Sequence, residues 1–155
     1  MKELRINHPG AGKEIMRLCE GTFREDMDHS IANYYGSELA GGFVLNHYLG
    51  NSAAVHMAGT RTDWGSRDII WMLFDYAFVQ LRLGKLLAPV ASDNAAALAQ
   101  DLRVGFELEA VIADAYSPGR HLMVLTMTAR NCRWLKIRPR AWAPGTTREG
   151  IPRHE

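Results

Sequence analysis

The sequence has few cysteines, no long apolar run and almost no net charge. Its two cysteines, Cys19 and Cys132, form no CxxC pair and have no cluster of histidines beside them, so we expect reduced thiols and no structural zinc site. No apolar stretch approaches the ~20 residues that cross a bilayer, and the N-terminus lacks a signal-peptide pattern. These features predict a cytoplasmic protein. The formal net charge of +1 provides no overall field that would attract nucleic acid or an anionic membrane.

What the chain does contain is typical of one globular domain. Its 155 residues are 47% hydrophobic and 23% charged, which is enough apolar material for a sizeable core. The composition changes near the C-terminus, where arginine and proline become frequent. We therefore predict one domain over residues 1–138 and a basic, proline- and arginine-rich tail over 139–155. The pattern favours a surface segment over a nucleic-acid-binding arm for this tail.

The middle of the chain contains a strand–loop–helix–strand unit. An apolar strand is predicted over residues 53–58, and the polar turn 59–68 follows it. The helix after the turn is predicted over 69–83, because its apolar residues form one broad stripe. The second strand, 86–91, contains Pro89, which is awkward in the centre of a sheet and predicts a bulge or a local loss of strand pairing.

Hairpins are predicted on both sides of this unit, with turns at residues 50–51 and 117–120. A further helix over 95–104 follows Asn94, a residue suited to cap a helix. Together these signals predict an α/β (α+β) fold with a mixed, mainly antiparallel twisted sheet and helices on both faces. The strands before and after the long helix should lie parallel at the centre of the sheet.

The turn before the long helix is a candidate ligand site. A helix start presents unpaired N–H groups and the positive end of the helix dipole, so an anion can bind there without a metal. Arg67 lies at this start, where a cation is electrostatically unfavourable unless an anion is bound nearby. The pattern therefore predicts an anionic ligand group next to Arg67.

The chain resembles the GNAT N-acetyltransferase superfamily, especially its ribosomal-protein and amino-acid acetyltransferases. The likeness covers about residues 2–130. It lies in the order of the elements, the loop 61–67, the "DYAF" helix segment 75–78, the segment "SDNAAALAQDLRVGF" at 92–106 and the two strands after it. The segments "WGSRD" at 64–68 and "CRWL" at 132–135 look like a branch often encoded by phages and prophages.

The resemblance implies an acyl-CoA N-acyltransferase fold and transfer of an acetyl group from acetyl-CoA to a primary amine of a small molecule or protein, without a metal. The donor's pyrophosphate would lie on the loop, and its pantetheine arm would lie between the two central strands. A backbone N–H near Met57 or Ala58 would polarise the acyl carbonyl. The implied cofactor-binding residues are Met57, Ala58, Arg61, Trp64, Gly65, Ser66, Arg67 and Asn94.

The sequence departs from the family pattern at the loop and in the last helix. The family's loop runs Gln/Arg-x-x-Gly-x-Gly/Ala, and alignment on Arg61 places Trp64 and Ser66 at the two glycine positions. Trp64 is expected to crowd the loop, so Trp64→Gly should leave cofactor binding unchanged or improve it. The family often has a tyrosine general acid where this chain has Asp101, so no general acid is assigned.

Two histidines are candidates for the general base. His56 lies late in the strand before the loop, and an imidazole titrates in the range that suits deprotonation of an amine. His47 precedes it on the neighbouring strand and could face the same cleft. A histidine bonded to the backbone is the alternative for His56. The alternative function is a GNAT-fold binding protein that has lost acyl-donor chemistry, and a homodimer is left open as the assembly.

Overall fold

The computed structural model describes residues 2–137, in which seven strands form one sheet and three α-helices pack against it. The strands are β1 (Lys2–Ile6), β2 (His29–Tyr35), β3 (Glu38–Asn46), β4 (Ser52–Gly59), β5 (Lys85–Ala91), β6 (Glu107–Ser117) and β7 (Arg120–Thr128). The helices are α1 (Ala11–Leu18), α2 (Arg67–Phe74) and α3 (Ala95–Val104). A π-helical segment, Asp75–Gln80, continues α2, and a 3₁₀ turn, Arg133–Lys136, follows β7. The predicted tail, 139–155, lies outside the described residues.

The sheet has the order β1-β2-β3-β4-β5-β7-β6 and is antiparallel except at its centre. There β4 and β5 run parallel, and α2 connects them. Both predicted hairpins are present, as β3–β4 and β6–β7. These features confirm the predicted mixed, mainly antiparallel sheet with a parallel central pair.

Side chains alternate between two core layers along the central strands, as a strand's period of two requires. Ile31, Phe43 and Val55 join the larger apolar cluster, which includes the buried face of α2. Their neighbours Ala32 and Val44 join a smaller cluster with α1. Helices therefore cover both faces of the sheet, as predicted, and β4 presents consecutive residues to opposite layers.

The helix between β4 and β5 differs from the prediction in its second half. Its α-helical part ends at Phe74, and the π-helical segment ends at Gln80 rather than near residue 83. A π-helical segment contains an extra residue per turn, and here the rings of Phe74 and Phe78 stack with centroids 5.9 Å apart. Apolar spacing indicates a helix in both cases, so the sequence pattern could not distinguish the two geometries.

Candidate functional site

β4 and β5 separate after three residue pairs. Their pairing ends at Ala54–Leu87, and the backbones diverge beyond it. Pro89 lies in the diverging part of β5, where it has no N–H to donate. The local loss of pairing predicted from Pro89 is therefore present between the two parallel strands. A cavity of about 440 Å³ occupies the gap, within the size range of small-molecule sites.

The register of β4 with β3 decides which amides of β4 face this cavity. The Thr60 N–H donates to the Ala40 carbonyl at 2.9 Å, which makes Ala40–Thr60 a hydrogen-bonded pair. Antiparallel pairs alternate, so Ala58 bonds to β3 whereas the N–H and C=O of Met57 point toward β5. The Met57 carbonyl accepts a hydrogen bond from Cys19 Sγ at 3.5 Å, which agrees with this orientation because Cys19 also lines the cavity. Of the two predicted carbonyl-polarising amides, the Met57 N–H is the one directed into the gap.

His56 also lines the cavity, and Asn46 holds its ring. His56 Nε2 lies 2.9 Å from Asn46 Oδ1, and Nδ1 of His47 lies 2.8 Å from the same oxygen. Since a carbonyl oxygen only accepts, both rings donate an N–H to it, which leaves Nδ1 of His56 with a free lone pair. Burial lowers the pKa of His56, and the nearby His47 lowers it further while Asp28 opposes the shift. His56 is therefore neutral at pH 7, the form that can accept a proton.

Asp101, to which the sequence analysis assigned no role, also lines the cavity. Its side chain is 1% exposed, and its Oδ1 has no hydrogen-bond partner among residues 2–137. Burial raises the pKa of Asp101 to about 7. A pattern signal was available: Asn94, Ala97 and Asp101 recur at helical spacing and all line the cavity. A carboxylate on the stripe of a helix that faces a ligand gap marks a functional candidate.

Trp64 lies in the core rather than across the loop. Its side chain is 9% exposed, and the indole lies so close to Gly41 and Gly59 that a Cβ on either glycine would overlap it. The indole also meets the ring of Phe43 edge-on, with centroids 5.2 Å apart. The Trp64 carbonyl accepts a hydrogen bond from the buried Asn33 Nδ2 at 2.7 Å. The expectation that Trp64 crowds a phosphate site is therefore corrected, because its side chain faces away from solvent and fills the core.

The other loop residues differ in whether their side chain or backbone is available to a ligand. Arg61 Nε donates to Asp63 Oδ1 at 3.0 Å, and its guanidinium lies 4.2 Å from the centroid of the Tyr35 ring. The Arg61 side chain is therefore already bound to Asp63 and Tyr35. Gly65 has open space where a Cβ would stand, so its backbone is accessible to a ligand.

At the start of α2, the Ser66 hydroxyl caps the helix and accepts from the Ile69 N–H at 3.4 Å. Arg67 is exposed and takes part in no ion pair within the described part of the chain. The Arg67 side chain and the amides of Arg67 and Asp68 therefore remain available to an anion, whereas the Ser66 hydroxyl and the Ile69 N–H are engaged in the cap.

The structure brings three of the predicted site residues into one cavity: His56, Met57 and Asn94. Asn94 is also the cap of α3, since its Oδ1 accepts from the Ala97 N–H at 3.2 Å. His47 does not line this cavity, but its ring meets the ring of His56 edge-on, with centroids 6.3 Å apart, and it shares Asn46 with His56. The remaining predicted residues, which lie at the end of β4 and in the loop, do not line it either: Ala58, Arg61, Trp64, Gly65, Ser66 and Arg67.

Neither a membrane span nor a metal site is found in residues 2–137. No helix there is long and apolar enough to cross a bilayer. No group of three or more His, Cys, Asp or Glu side chains is placed to hold a metal ion.

Solved structures share this fold at low sequence identity. A mutant form of the spermidine/spermine N-acetyltransferase SpeG from Vibrio cholerae is 18% identical with a TM-score of 0.65, over 88% of this chain and 98% of that chain. A GNAT-family protein from Desulfovibrio desulfuricans is 15% identical with a TM-score of 0.67, over 83% and 99%. A GNAT-family acetyltransferase from Bacillus anthracis is 12% identical with a TM-score of 0.57, over 80% and 87%. No protein-family model and no curated protein matches the sequence. The chain thus has the fold of GNAT acetyltransferases.

Proposed function

We propose that this protein is an acetyl-CoA-dependent N-acetyltransferase that acts on a primary amine of a small molecule or protein. The observation that supports this most directly is the gap between β4 and β5, which contains a neutral histidine and faces the backbone N–H of Met57. An extended acyl-pantetheine arm can enter such a gap as an additional strand would, bonding to the backbone groups that the two strands leave unpaired. The fold shared with GNAT acetyltransferases supports the same activity.

Residues of β4 account for the first half of the reaction. The Met57 N–H, directed into the gap, would stabilise negative charge on the acetyl carbonyl oxygen as the amine attacks. His56 Nδ1 would take the proton from the attacking nitrogen, directly or through a water. Burial keeps His56 neutral for this step. The carbon–sulfur bond then breaks, and the departing thiolate of coenzyme A requires a proton.

The donor's pyrophosphate would bind at the start of α2. Arg67 and the first two amides of the helix are accessible there, and Gly65 lets a phosphate approach the backbone. Asp68 in the first turn reduces the local positive charge, so Arg67 is the principal source of attraction. The ligand therefore fits the residues present without a glycine-rich loop.

The narrower assignments are also proposals. The segments 64–68 and 132–135 support a phage or prophage-type branch related to ribosomal-protein and amino-acid acetyltransferases. A cytoplasmic location and a homodimer stay predictions. The SpeG structures supply spermidine as one amine to test, beside amino acids and peptides with free N-termini.

Acetyl-CoA binding is the first test of the enzyme assignment. Acetyl-CoA should raise the melting temperature and give a saturable calorimetric titration, because a ligand that binds only the folded state stabilises it by mass action. Thiol release from acetyl-CoA in the presence of the amine panel then reports transfer. A flat titration at millimolar acetyl-CoA would contradict the proposal and would instead support a binding protein without acyl-donor chemistry.

Arg67→Ala tests the pyrophosphate site. The substitution should weaken acetyl-CoA binding by roughly 1–3 kcal/mol, the usual loss for a charge-assisted hydrogen bond. Arg130→Ala is the matched control, because Arg130 is also exposed but follows β7 at the edge of the sheet where β4 begins, whereas the loop follows the opposite end of β4. Calorimetry at low and physiological salt should show the difference between the two variants. If the two variants bound acetyl-CoA with equal affinity, the pyrophosphate could not lie at the start of α2.

A further inference from the structure

We infer that Asp101 is the general acid that protonates the leaving thiolate of coenzyme A. The inference rests on the proposed function. It supplies the proton donor for the second half of the reaction, which neither His56 nor Met57 provides.

Asp101 shares the cavity with the residues proposed for the first half of the reaction. Asp101 lines the cavity from α3, whereas His56 and Met57 line it from β4. A base and an acid on different walls can serve the two ends of one transfer, the amine and the sulfur.

The carboxyl group of Asp101 is shielded from solvent and lacks a hydrogen-bond partner on one oxygen. Asp101 is 1% exposed, and among the described residues its Oδ1 has no hydrogen-bond partner. Buried carboxyl oxygens normally have partners, and an orphaned one calls for an explanation. A ligand that enters the cavity would provide the missing partner.

The charges around the cavity leave Asp101 able to hold its proton. The other titratable residues that line the cavity are Cys19, Glu20, His56, Tyr116 and Arg120. The Arg120 guanidinium bonds to Asp93 at 2.9 Å instead, so no cation is bonded to Asp101. Burial alone raises the pKa of Asp101 to about 7, and a large share of the carboxyl groups is therefore protonated at neutral pH.

The proton balance of the reaction closes with this assignment. The amine nitrogen forms a bond to the acetyl carbon and loses a proton to His56, and the carbon–sulfur bond breaks with its electron pair on sulfur. Asp101 transfers its carboxyl proton to that sulfur, which yields the free thiol of coenzyme A and a carboxylate. The proton held by His56 leaves to solvent, and Asp101 takes one up from solvent, so the enzyme returns to its starting state.

Infrared spectroscopy tests whether this carboxyl group faces the sulfur, without any acceptor. At pH 6 the full-length protein should show a protonated-carboxyl C=O band that Asp101→Asn lacks and Glu107→Gln retains, since Glu107 is exposed on β6. Coenzyme A should shift this band, whereas desulfo-coenzyme A, which lacks only the sulfur, should not. A wild-type protein without the band, or equal shifts with both compounds, would overturn the inference. Calorimetry separates the two proposals, because absence of coenzyme A binding overturns the proposed function itself.

Kinetics with hydroxylamine as a small acceptor probe tests the chemical role. Asp101→Asn should lower kcat by roughly 10²-fold or more, with the KM for acetyl-CoA changed by less than about threefold. In the wild-type enzyme kcat should fall as the pH rises through the pKa of Asp101, because the donor loses its proton. The variant should lack this fall. An unchanged kcat in Asp101→Asn, or a fall that persists in it, would contradict the assignment.

Discussion

Trp64→Gly is expected to lower the free energy of unfolding by ~3–5 kcal/mol, the usual cost of truncating a buried aromatic side chain. The indole is 9% exposed and packs against Gly41 and Gly59, which have no side chain to fill the space that its loss would leave. The edge-on contact with Phe43 would be lost as well. Because small domains have only ~5–15 kcal/mol of stability in total, part of the variant should be unfolded at moderate temperature. Urea denaturation followed by circular dichroism measures the loss.

Two controls separate burial from a loop effect. Trp64→Phe keeps an aromatic ring in the same space and should lose much less stability. Gly65→Ala changes the neighbouring loop residue, where a Cβ would meet no atom within 4 Å, and should leave stability nearly unchanged. If Trp64→Gly were as stable as the wild type and bound acetyl-CoA more tightly, the loop interpretation from the sequence would be restored.

The second large effect, a loss of kcat, is expected from substitution of His56. His56→Gln should lower kcat by roughly 10²–10⁴-fold, the usual contribution of a general base. The KM for acetyl-CoA should change little, because the ring takes the amine proton and does not hold the donor. The measurement is thiol release from acetyl-CoA with the most active amine of the panel.

The pH profile and His47→Gln serve as internal checks on this result. Since burial lowers the pKa of His56, the acidic limb of kcat should lie below the ordinary histidine range near 6.5, and activity should rise as the pH increases through it. His47→Gln should lose less than about tenfold in kcat, because His47 does not line the cavity and acts on His56 only through Asn46 and an edge-on ring contact. Equal losses in the two variants would indicate that the pair acts as one unit, and wild-type kcat in His56→Gln would exclude it as the base.

Much of the fold was predictable because local signals agree with the tertiary arrangement. Pro89 predicted the loss of pairing between β5 and β4. The turns at 50–51 and 117–120 predicted both hairpins. The π-helical geometry of Asp75–Gln80 was not predictable, because it changes the hydrogen-bond pattern without changing the apolar spacing.

The candidate site was less predictable than the fold. The sequence identified His56 and Met57 through their place on the strand before the loop. It could not show that Asn46 would join the two histidines, because that contact depends on the register between β3 and β4. The position of Trp64 depends on its close approach to Gly59 and to Gly41, which lies on another strand, and a motif alignment contains no such information.

The buried carboxyl of Asp101 also makes the stability of the whole domain depend on pH. In the unfolded chain this group titrates near 3.9, whereas in the folded chain its pKa is raised to about 7. Between these values the folded state binds more protons, so its stability declines as the pH rises and the decline is complete above the folded pKa. An apolar substitution at Asp101 is thus expected to stabilise the domain at neutral and alkaline pH, and the same substitution would remove the proposed proton donor. Thermostability selection carried out without an activity screen should therefore favour variants at this position.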